Sequence, residues 1–452
     1  FCTLLSANKR SSLFEMRVLA SAVVLLTLVT AVCYATVSVA LPADHTVWST
    51  VYGGFTPFQS SNAMFWFTDT FDMIRVNPIT GAAAWQVPTG VFILEGNMAA
   101  TANDQTVLIS CTSCIVNREV APRLLVFNAS TGTTLVNVSR PQGACGWSMA
   151  PLGASHFVCT SQDQITVSIM DAFGNTTWTS SDYGFRTFAT AMTVATSASG
   201  EETVYFIAID ESDDTSLVVL RMRDFSMHVL PGTEFVAGNE APGSHDVLVF
   251  SSSSVGATVQ AIDLFSMDTK WTQSYGNTSV LQEYTSTSLS LMQVGGSGVI
   301  VGCSQFLTGC SILAFDMATG ALFVNETFTW FVQVPQVSGD AGLIVASLVN
   351  ASQHVMYGTF DLGTGKWIAL APVAGMQFTA LPVTTSPQIL AWNNQGYVRL
   401  SSATLQILSM NLDLPDVIST MMFLNTPRTG NTTVVLAQHI GNATDVTAVV
   451  FQ

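Results

Sequence analysis

One short turn recurs along this chain and decides its fold. Its first copy is Asn77-Pro78-Ile79-Thr80-Gly81, which is followed by Trp85. Later copies are Asn128-Ala129-Ser130-Thr131-Gly132, Asp316-Met317-Ala318-Thr319-Gly320 and Asp361-Leu362-Gly363-Thr364-Gly365. Each copy lies between two apolar runs. A strand–turn–strand unit that recurs in this way is typical of sheets stacked in a line or around an axis.

The residue types explain why the unit is a turn. The side chain of Asp or Asn at the first position accepts hydrogen bonds from the backbone two residues later, and Gly at the last position accepts a positive φ without a Cβ clash. Weaker copies begin at Asp171 and Asp263, and the units near Asp224 and Ser402 have almost lost the pattern. Four tryptophans follow turns and are predicted to fill the space between neighbouring sheets: Trp85, Trp178, Trp271 and Trp367.

Short apolar, β-branched segments dominate the rest of the chain and recur about every 46 residues, a spacing within the range of four-stranded blades. The nine segments are Met64–Phe67, Thr106–Cys111, His156–Cys159, Thr203–Ile209, Asp246–Ser251, Gly298–Cys303, Gly342–Leu348, Gln388–Trp392 and Thr433–Gln438. A closed propeller is the usual way for one domain to reach this length. We therefore expect an all-β fold with a single β-propeller of four-stranded antiparallel blades over residues 36–452.

The unit D-x-x-T-G-x-x-x-W resembles the repeat of the PQQ-like, or quinoprotein, β-propeller family. Asn77, Thr80, Gly81 and Trp85 show its full spacing, with Asn in place of Asp. The resemblance covers most of residues 36–452 at the level of repeats. It implies a propeller of seven or eight blades in which tryptophans dock one blade on the next.

Counting the units favours eight blades, with seven or nine left open. The last hairpin, Thr433–Phe451, lacks a turn and an outer strand of its own. We expect the N-terminal stretch Thr46–Tyr52 to complete this last blade and close the ring.

Quinoprotein dehydrogenases of that family hold PQQ with a calcium ion, a vicinal disulfide and a catalytic Asp. None of these carries over residue by residue, because the chain has no adjacent cysteines and Cys111-x-x-Cys114 has the wrong spacing. We therefore predict a member without a quinone and name no catalytic, cofactor-binding or metal-ligating residue. Calcium binding is left open.

The N-terminus has the order of a secretory signal: Met16 as the natural start, Arg17, an apolar run over Val18–Val32, and small residues near Ala35. We expect residues 1–15 to lie upstream of the native start and residues 16–35 to be a cleaved signal peptide. A second candidate cleavage site ends at Ala40. The alternative is a membrane anchor formed by residues 18–35.

The chain is acidic, with a formal net charge of −16, and charged residues make up only 10% of it. Nucleic-acid binding requires clustered Lys and Arg, so this class of partner is excluded. Solubility in a chain so poor in charge indicates another solubilising group, and N-glycosylation is the candidate. The sequons are at Asn128, Asn137, Asn175, Asn277, Asn325, Asn350, Asn431 and Asn442.

Six cysteines follow the predicted signal, and an even number in a secreted chain indicates disulfides. Cys303 with Cys310 would close a hairpin, and Cys145 with Cys159 and Cys111 with Cys114 are the natural local pairs. Six cysteines allow 15 connectivities. A redox role for Cys111-x-x-Cys114 is disfavoured, since the pair ends a strand instead of opening a helix.

The remaining polar clusters have structural interpretations. Gly243-Ser244-His245-Asp246 holds the residue types of a catalytic triad, but neighbours in sequence do not assemble one. Asp210–Asp214 is interpreted as a solvated hairpin tip.

The function favoured by the sequence is a secreted or cell-surface binding or scaffold module that takes a protein or glycan ligand at a rim of the propeller. The alternative is an enzyme, a hydrolase or a PQQ-type oxidoreductase, with carboxylates around the central channel.

Overall fold

The computed structural model describes the chain from residue 46 to residue 451, with gaps. The described residues are 46–51, 58–59, 63–67, 71–77, 82–101, 103–139, 145, 148–161, 166–181, 184–188, 192–238, 245–253, 256–276, 289–294, 296–303, 309–329, 331–338, 342–349, 355–372, 377–381, 388–393, 396–411, 418–425, 433–439 and 445–451. The predicted signal peptide at residues 16–35 lies outside them.

The described strands form nine antiparallel sheets, numbered here along the chain. Sheet 1 contains Phe58–Gln59, Met64–Phe67, Asp72–Val76 and Ala83–Pro88; sheet 2 contains Phe92–Ala100, Thr106–Val116, Glu119–Asn128 and Thr134–Ser139; sheet 3 contains Met149–Leu152, His156–Thr160, Val167–Asp171 and Thr176–Thr179. Sheet 4 contains Phe185–Phe188, Glu202–Asp210, Thr215–Arg221 and Met227–Pro231, with Thr193–Thr196 also paired to Glu202–Asp210; sheet 5 contains Phe235–Gly238, Asp246–Ser253, Gly256–Asp263 and Thr269–Gly276. Sheet 6 contains Leu289–Val294, Ser297–Cys303, Cys310–Asp316 and Leu322–Phe328; sheet 7 contains Phe331–Ser338, Leu343–Val349, Val355–Asp361 and Lys366–Pro372. Sheet 8 contains Gln377–Leu381, Gln388–Asn393, Gly396–Ser401 and Ile407–Asn411; sheet 9 contains Ile418–Asn425, Thr433–His439, Asp445–Phe451 and Thr46–Val51.

The sheets are arranged radially. In sheets 1 to 8 the strands pair in chain order as an up-and-down meander, except that in sheet 4 both Phe185–Phe188 and Thr193–Thr196 pair with Glu202–Asp210. The first strands of successive sheets contact one another from sheet 1 to sheet 3 and again from sheet 5 to sheet 8. When the first strand of each sheet contacts the first strand of the next sheet, these strands surround an axis. The fourth strands then lie outermost. The fold is therefore an all-β propeller of four-stranded antiparallel sheets, as the sequence predicts.

The two ends of the chain meet in sheet 9. Thr46–Val51 pairs antiparallel with Asp445–Phe451, and Ser49 lies opposite Thr447. The N-terminal strand is thus the fourth strand of a sheet whose other three strands come from the C-terminus, which confirms that the stretch expected at Thr46–Tyr52 completes the last sheet. The described residues form nine sheets, whereas the repeats favour eight blades with nine left open; the number of blades in the ring stays a prediction.

The hydrophobic core lies between neighbouring sheets. Clusters of buried side chains fill the spaces between sheets 1 and 2, 2 and 3, 3 and 4, and so on to sheets 7 and 8. The largest completely buried side chains are phenylalanines of the second and third strands: Phe65, Phe127, Phe157, Phe206, Phe250, Phe315 and Phe360. Each sheet therefore has two buried faces, which explains why its middle strands are almost continuously apolar.

The sequence pattern missed the innermost strands. The nine apolar segments found in the sequence are second strands, and in sheets 1 to 8 each follows a shorter or more polar strand, such as Phe235–Gly238. Among the described residues there is no helix that is long and apolar enough to span a bilayer.

Candidate functional site

The recurrent turns lie on one end of the propeller, which we call the turn face. In sheet 2 the turn begins at Asn128, whose Oδ1 accepts hydrogen bonds from the backbone N–H groups of Ser130 and Thr131, each at 3.0 Å. The N–H of Ala129 donates to the carbonyl of Gln105, which ties this turn to the one between the first two strands of the sheet. The equivalent bond recurs in sheets 4 to 7, so both turns of each of these sheets share one face.

Tryptophans join these turns to the preceding sheet. Trp85 of sheet 1 donates from Nε1 to the carbonyl of Ala129 at 2.9 Å, and its ring lies 2.7 Å from where a Cβ on Gly132 would stand. Trp271 of sheet 5 makes the same contact with sheet 6, with Nε1 2.8 Å from the carbonyl of Met317. Glycine at the end of the turn thus provides a positive φ and also room for the neighbouring indole.

Two other tryptophans use different contacts. Trp178 of sheet 3 stacks on Phe225 in the turn of sheet 4, with ring centroids 5.3 Å apart. Trp367 points away from the following sheet and packs between Phe328 and Phe360, in the cluster between sheets 6 and 7. Trp367 precedes the bulge of its outer strand, at the place of Ala83 in sheet 1, and Ala369 occupies the place that corresponds to Trp85.

The turns of sheets 4 and 8 keep the geometry although their sequences have lost the pattern. The turn of sheet 4 begins at Arg221, which is hydrogen bonded to Ser226, so Asp224 lies inside the turn and does not begin it. In sheet 8 Leu405 donates to Ser401 across the turn. Phe225, Met267 and Leu405 stand where other copies have Gly, with φ of 55°, 63° and 54°.

One acid–base group of the turn face, which contains Glu202 and His156, links two sheets. Glu202, at the start of a strand of sheet 4, accepts a hydrogen bond of 2.6 Å from the N–H of Gly153 in sheet 3. Burial raises the pKa of Glu202, although that bond and the nearby His156 act in the opposite direction. His156 itself contacts the hydroxyl of Ser155 at 3.2 Å. These groups lie between sheets 3 and 4, at the turn that follows the first strand of sheet 3.

No group of three or more His, Cys, Asp or Glu side chains is placed to hold a metal ion within the described ranges. His245 and Asp246 begin the second strand of sheet 5, where Asp246 forms an ion pair of 2.6 Å with Lys270 and His245 packs edge-on against Phe265. Asp210 accepts backbone bonds from Ser212 and Asp214, as a hairpin tip requires. Gly243 and Ser244 lie outside the described residues.

Three disulfides are present, and they are the local pairs expected from the sequence: Cys111–Cys114, Cys145–Cys159 and Cys303–Cys310. Cys303 and Cys310 face each other across the second and third strands of sheet 6 and close that hairpin. Cys111 and Cys114 lie in one strand of sheet 2 and are both buried. Their bond spans a bulge in which two residues, Thr112 and Ser113, face one residue of the next strand.

Four predicted glycosylation sites lie within the described residues. Asn137 and Asn325 are exposed on the outer strands of sheets 2 and 6, while Asn128 begins a turn and Asn175 ends one. The side chain of Asn175 donates from Nδ2 to Asp171 at 2.9 Å. The remaining predicted glycosylation sites fall outside the described residues: Asn277, Asn350, Asn431 and Asn442. The turn residue Gly81 also lies outside them.

The strongest candidate for a binding surface lies at the opposite end of the propeller, which we call the hairpin face. Sheet 2 has long second and third strands, of 11 and 10 residues, and the hairpin between them lies at this end. Their hairpin turns at Asn117 and Arg118, which both have a positive φ, 53° and 71°. The disulfide between Cys111 and Cys114 lies just below this tip and holds the long strand in its bulged form.

Four apolar side chains assemble beside this tip, and we call them the apolar row: Phe71, Phe92, Ile115 and Val120. Phe92, Ile115 and Val120 are direct partners across three strands of sheet 2, so their side chains share one face. Phe71 of sheet 1 adds to the row through an edge-on contact with Phe92, at 5.1 Å between ring centroids. Thr89 fixes Phe71 by donating to its carbonyl from the backbone N–H at 2.9 Å and from Oγ1 at 2.8 Å.

The apolar row has two exposed members that rest on two half-buried ones. Val120 is 64% exposed and Phe71 38% exposed, whereas Phe92 and Ile115 are half-buried beneath them. Sequence reasoning missed this site, because its members are separated by up to 49 positions and meet only through strand register. The one local signal was Asn117 between two apolar runs, because Asn tolerates the positive φ of a hairpin turn.

Comparison with known proteins finds the fold alone. No protein-family model matches the sequence, and no curated protein matches it. Among solved structures, BamB from Moraxella catarrhalis aligns over 89% of this chain and 95% of its own, with 14% identity and a TM-score of 0.44. The Dos1 propeller aligns over 79% and 94%, with 11% identity and a TM-score of 0.47, and Porphyromonas gingivalis dipeptidyl peptidase 4 over 86% and 65%, with 9% and 0.48. Similarities this low carry no argument about function.

Proposed function

We propose that this chain is a secreted or cell-surface propeller that acts as an extracellular binding module, with the apolar row as its contact surface for a protein partner. The exposure of Val120 on the tallest sheet is the observation that carries the proposal. Apolar side chains that stand exposed and rigid mark interaction surfaces, because binding buries them without a further cost of ordering.

The chemistry of the row favours a protein over a glycan. Its members are two phenylalanines, an isoleucine and a valine, and aliphatic side chains offer a sugar no hydrogen bonds. Arg118 and Glu119 at the tip provide a polar rim of both signs. An apolar centre with a polar rim is the usual anatomy of a protein interface.

Entry into the secretory pathway is part of the proposal. Disulfides form and persist in oxidising compartments, and the three in this chain support that location. The signal-like segment at residues 16–35 and the sequons point the same way. We further propose membership of the PQQ-like propellers without a bound quinone, supported by the contacts of Trp85 and Trp271 with the following turns.

The test places a photoreactive amino acid, benzoylphenylalanine, at position 120 of the full chain secreted by eukaryotic cells. A matched control carries it at position 370, because Leu370 is 52% exposed but lies on the outer strand of sheet 7. Irradiation in the presence of the producing cells should give a polypeptide adduct at position 120 alone, and mass spectrometry identifies it.

The identified polypeptide is then purified and its affinity measured. Burying a valine contributes about 1–2 kcal/mol, so Val120→Ser should weaken binding about tenfold, as should Phe71→Ser. Leu370→Ser should bind as the unmodified chain does. Equal labelling at both positions, or unchanged affinity in Val120→Ser, would contradict the proposal. Binding to immobilised glycans without any polypeptide adduct would replace the protein partner with a sugar.

A further inference from the structure

Two sequon asparagines occupy the same structural position in different sheets. Asn137 lies opposite Leu125 in sheet 2, and Asn325 lies opposite Leu313 in sheet 6. Both follow the residue that begins their turn, Asn128 or Asp316, at the same distance in sequence. Both are exposed and stand in outer strands, which have no neighbour on one side in their sheets.

Each of these outer strands also exposes apolar side chains beside its asparagine. Leu135 and Phe323 are the bulge residues of the two strands and are 40% and 49% exposed. Val138 in sheet 2 and Leu322 in sheet 6 are exposed as well. An edge strand with exposed apolar side chains is a site of aggregation unless something blocks it. The outer strand of sheet 2 contains no charged residue, and the outer strand of sheet 6 contains one, Glu326.

Both asparagines are exposed, and the orientation of the Asn137 side chain is set by one hydrogen bond. The carbonyl oxygen of Asn137 accepts a hydrogen bond of 2.5 Å from Arg123, so the amide is oriented through its oxygen and Nδ2 is left for modification. Asn175 differs, because its Nδ2 donates to Asp171 inside a turn. Asn128 begins a turn through its Oδ1, so among the described sequons the outer-strand pair is the one whose side chains are not part of a turn.

We propose that Asn137 and Asn325 carry N-linked glycans whose role is to cover the apolar outer edges of sheets 2 and 6. The donor class is a lipid-diphosphate-linked oligosaccharide. The Asn Nδ2 forms the bond to C1 of the sugar while the bond from C1 to the diphosphate oxygen breaks, and a base of the transferring enzyme takes the amide proton. This proposal rests on the secretory location proposed above, but not on the apolar row.

Sheet 7 provides an internal comparison. It has Ile368 at the bulge and Leu370 in the place of Asn137 and Asn325, and both are exposed. The strand Lys366–Pro372 contains no sequon. The edge of sheet 7 is thus apolar without a glycan acceptor, and its behaviour should not change when glycans are removed.

The experiment uses the full chain secreted from eukaryotic cells. Enzymatic release of N-glycans in ¹⁸O-water converts each occupied Asn to a labelled Asp, which peptide mass spectrometry locates. We expect label at Asn137 and Asn325. A secreted chain with both sites bare would overturn this inference alone, whereas a chain that never enters the pathway would overturn it together with the proposed location.

The covering role has its own readout. Ser139→Ala and Thr327→Ala abolish the two sequons while keeping both asparagines, and the doubly changed protein should bind an apolar fluorescent dye roughly twofold more strongly and form more high-mass species. Adding Leu135→Ser and Phe323→Ser should return both signals to the starting level. The matched control, Asn175→Gln, should leave both unchanged. Equal dye binding with and without the two glycans would refute the covering role.

Discussion

Gly320→Ala tests the contact between neighbouring sheets most sharply. Gly320 ends the turn of sheet 6 with φ of +72°, and a Cβ there would lie 2.6 Å from two ring atoms of Trp271 in sheet 5. Gly365 ends the same kind of turn in sheet 7 with φ of +65°, but its Cβ would meet nothing closer than Glu326 at 3.9 Å. The two substitutions therefore share the backbone strain and differ in the clash.

The magnitudes follow from that difference. A left-handed conformation costs an alanine about 1–2 kcal/mol, and the stiffer unfolded chain returns about 0.4–1 kcal/mol, so Gly365→Ala should lower the free energy of unfolding by about 1 kcal/mol. Forcing a methyl group into a packed contact adds about 1–3 kcal/mol. Gly320→Ala should therefore lower the free energy of unfolding by about 2–4 kcal/mol.

Urea unfolding followed by tryptophan fluorescence measures both variants, and amide hydrogen exchange locates the effect. Protection should fall in Thr269–Gly276 for Gly320→Ala and stay unchanged there for Gly365→Ala. In a Trp271→Leu background the extra penalty of Gly320→Ala should vanish, since the ring it meets is gone. Equal destabilisation by the two glycine substitutions, or a penalty that persists without the indole, would refute the docking of sheet 5 on sheet 6.

Three further predictions concern single features of the chain. Arg118→Gly removes a strained positive φ from an exposed hairpin tip and should raise the free energy of unfolding by roughly 0.5–1 kcal/mol, measured in urea; a loss of stability would contradict the tip geometry. Replacing Cys303 and Cys310 together by Ala opens a short loop and should cost about 2–3 kcal/mol, whereas an unchanged urea midpoint would show that the bridge does not constrain the chain. Because burial raises the pKa of Glu202, the contribution of this group to stability is full below its unfolded pKa and is lost as pH rises through its folded pKa. The free energy of unfolding of Glu202→Gln should therefore rise relative to that of the unmodified chain between pH 4 and pH 7. If the free energies of unfolding of both proteins depend on pH in the same way, the pKa of Glu202 is not raised.

The sequence predicted the features that depend on local chemistry. Turns beginning at Asn128, Asp316 and Asp361 have the expected hydrogen bonds, because the Asx side chain and the terminal Gly act within five residues. The closing pairing of Thr46–Val51 was also predictable, since the last hairpin lacked a strand and the first stretch had none to pair with.

The rest depended on tertiary structure. The turn of sheet 8 was nearly invisible, because packing holds Leu405 at a positive φ where other copies use Gly. Trp367 faces the opposite neighbour from Trp85, since both outer strands contain a one-residue bulge and Trp367 precedes it whereas Trp85 follows it. The apolar row was not predictable, because Phe71, Phe92 and Val120 meet only through strand register.

The propeller requires the two ends of the chain to pair in sheet 9, and one cross-link tests that pairing directly. Ser49 and Thr447 lie opposite each other between the N-terminal strand and the last strand, within reach of a disulfide. With cysteines at both positions, non-reducing peptide mapping of the oxidised protein should find the Ser49→Cys and Thr447→Cys positions bridged. A control pairs Ser49→Cys with Thr433→Cys, which lies one strand further away and out of reach. A bridge in the first protein alone is the predicted result. An unbridged first protein, or equal bridging in both, would contradict the closed propeller.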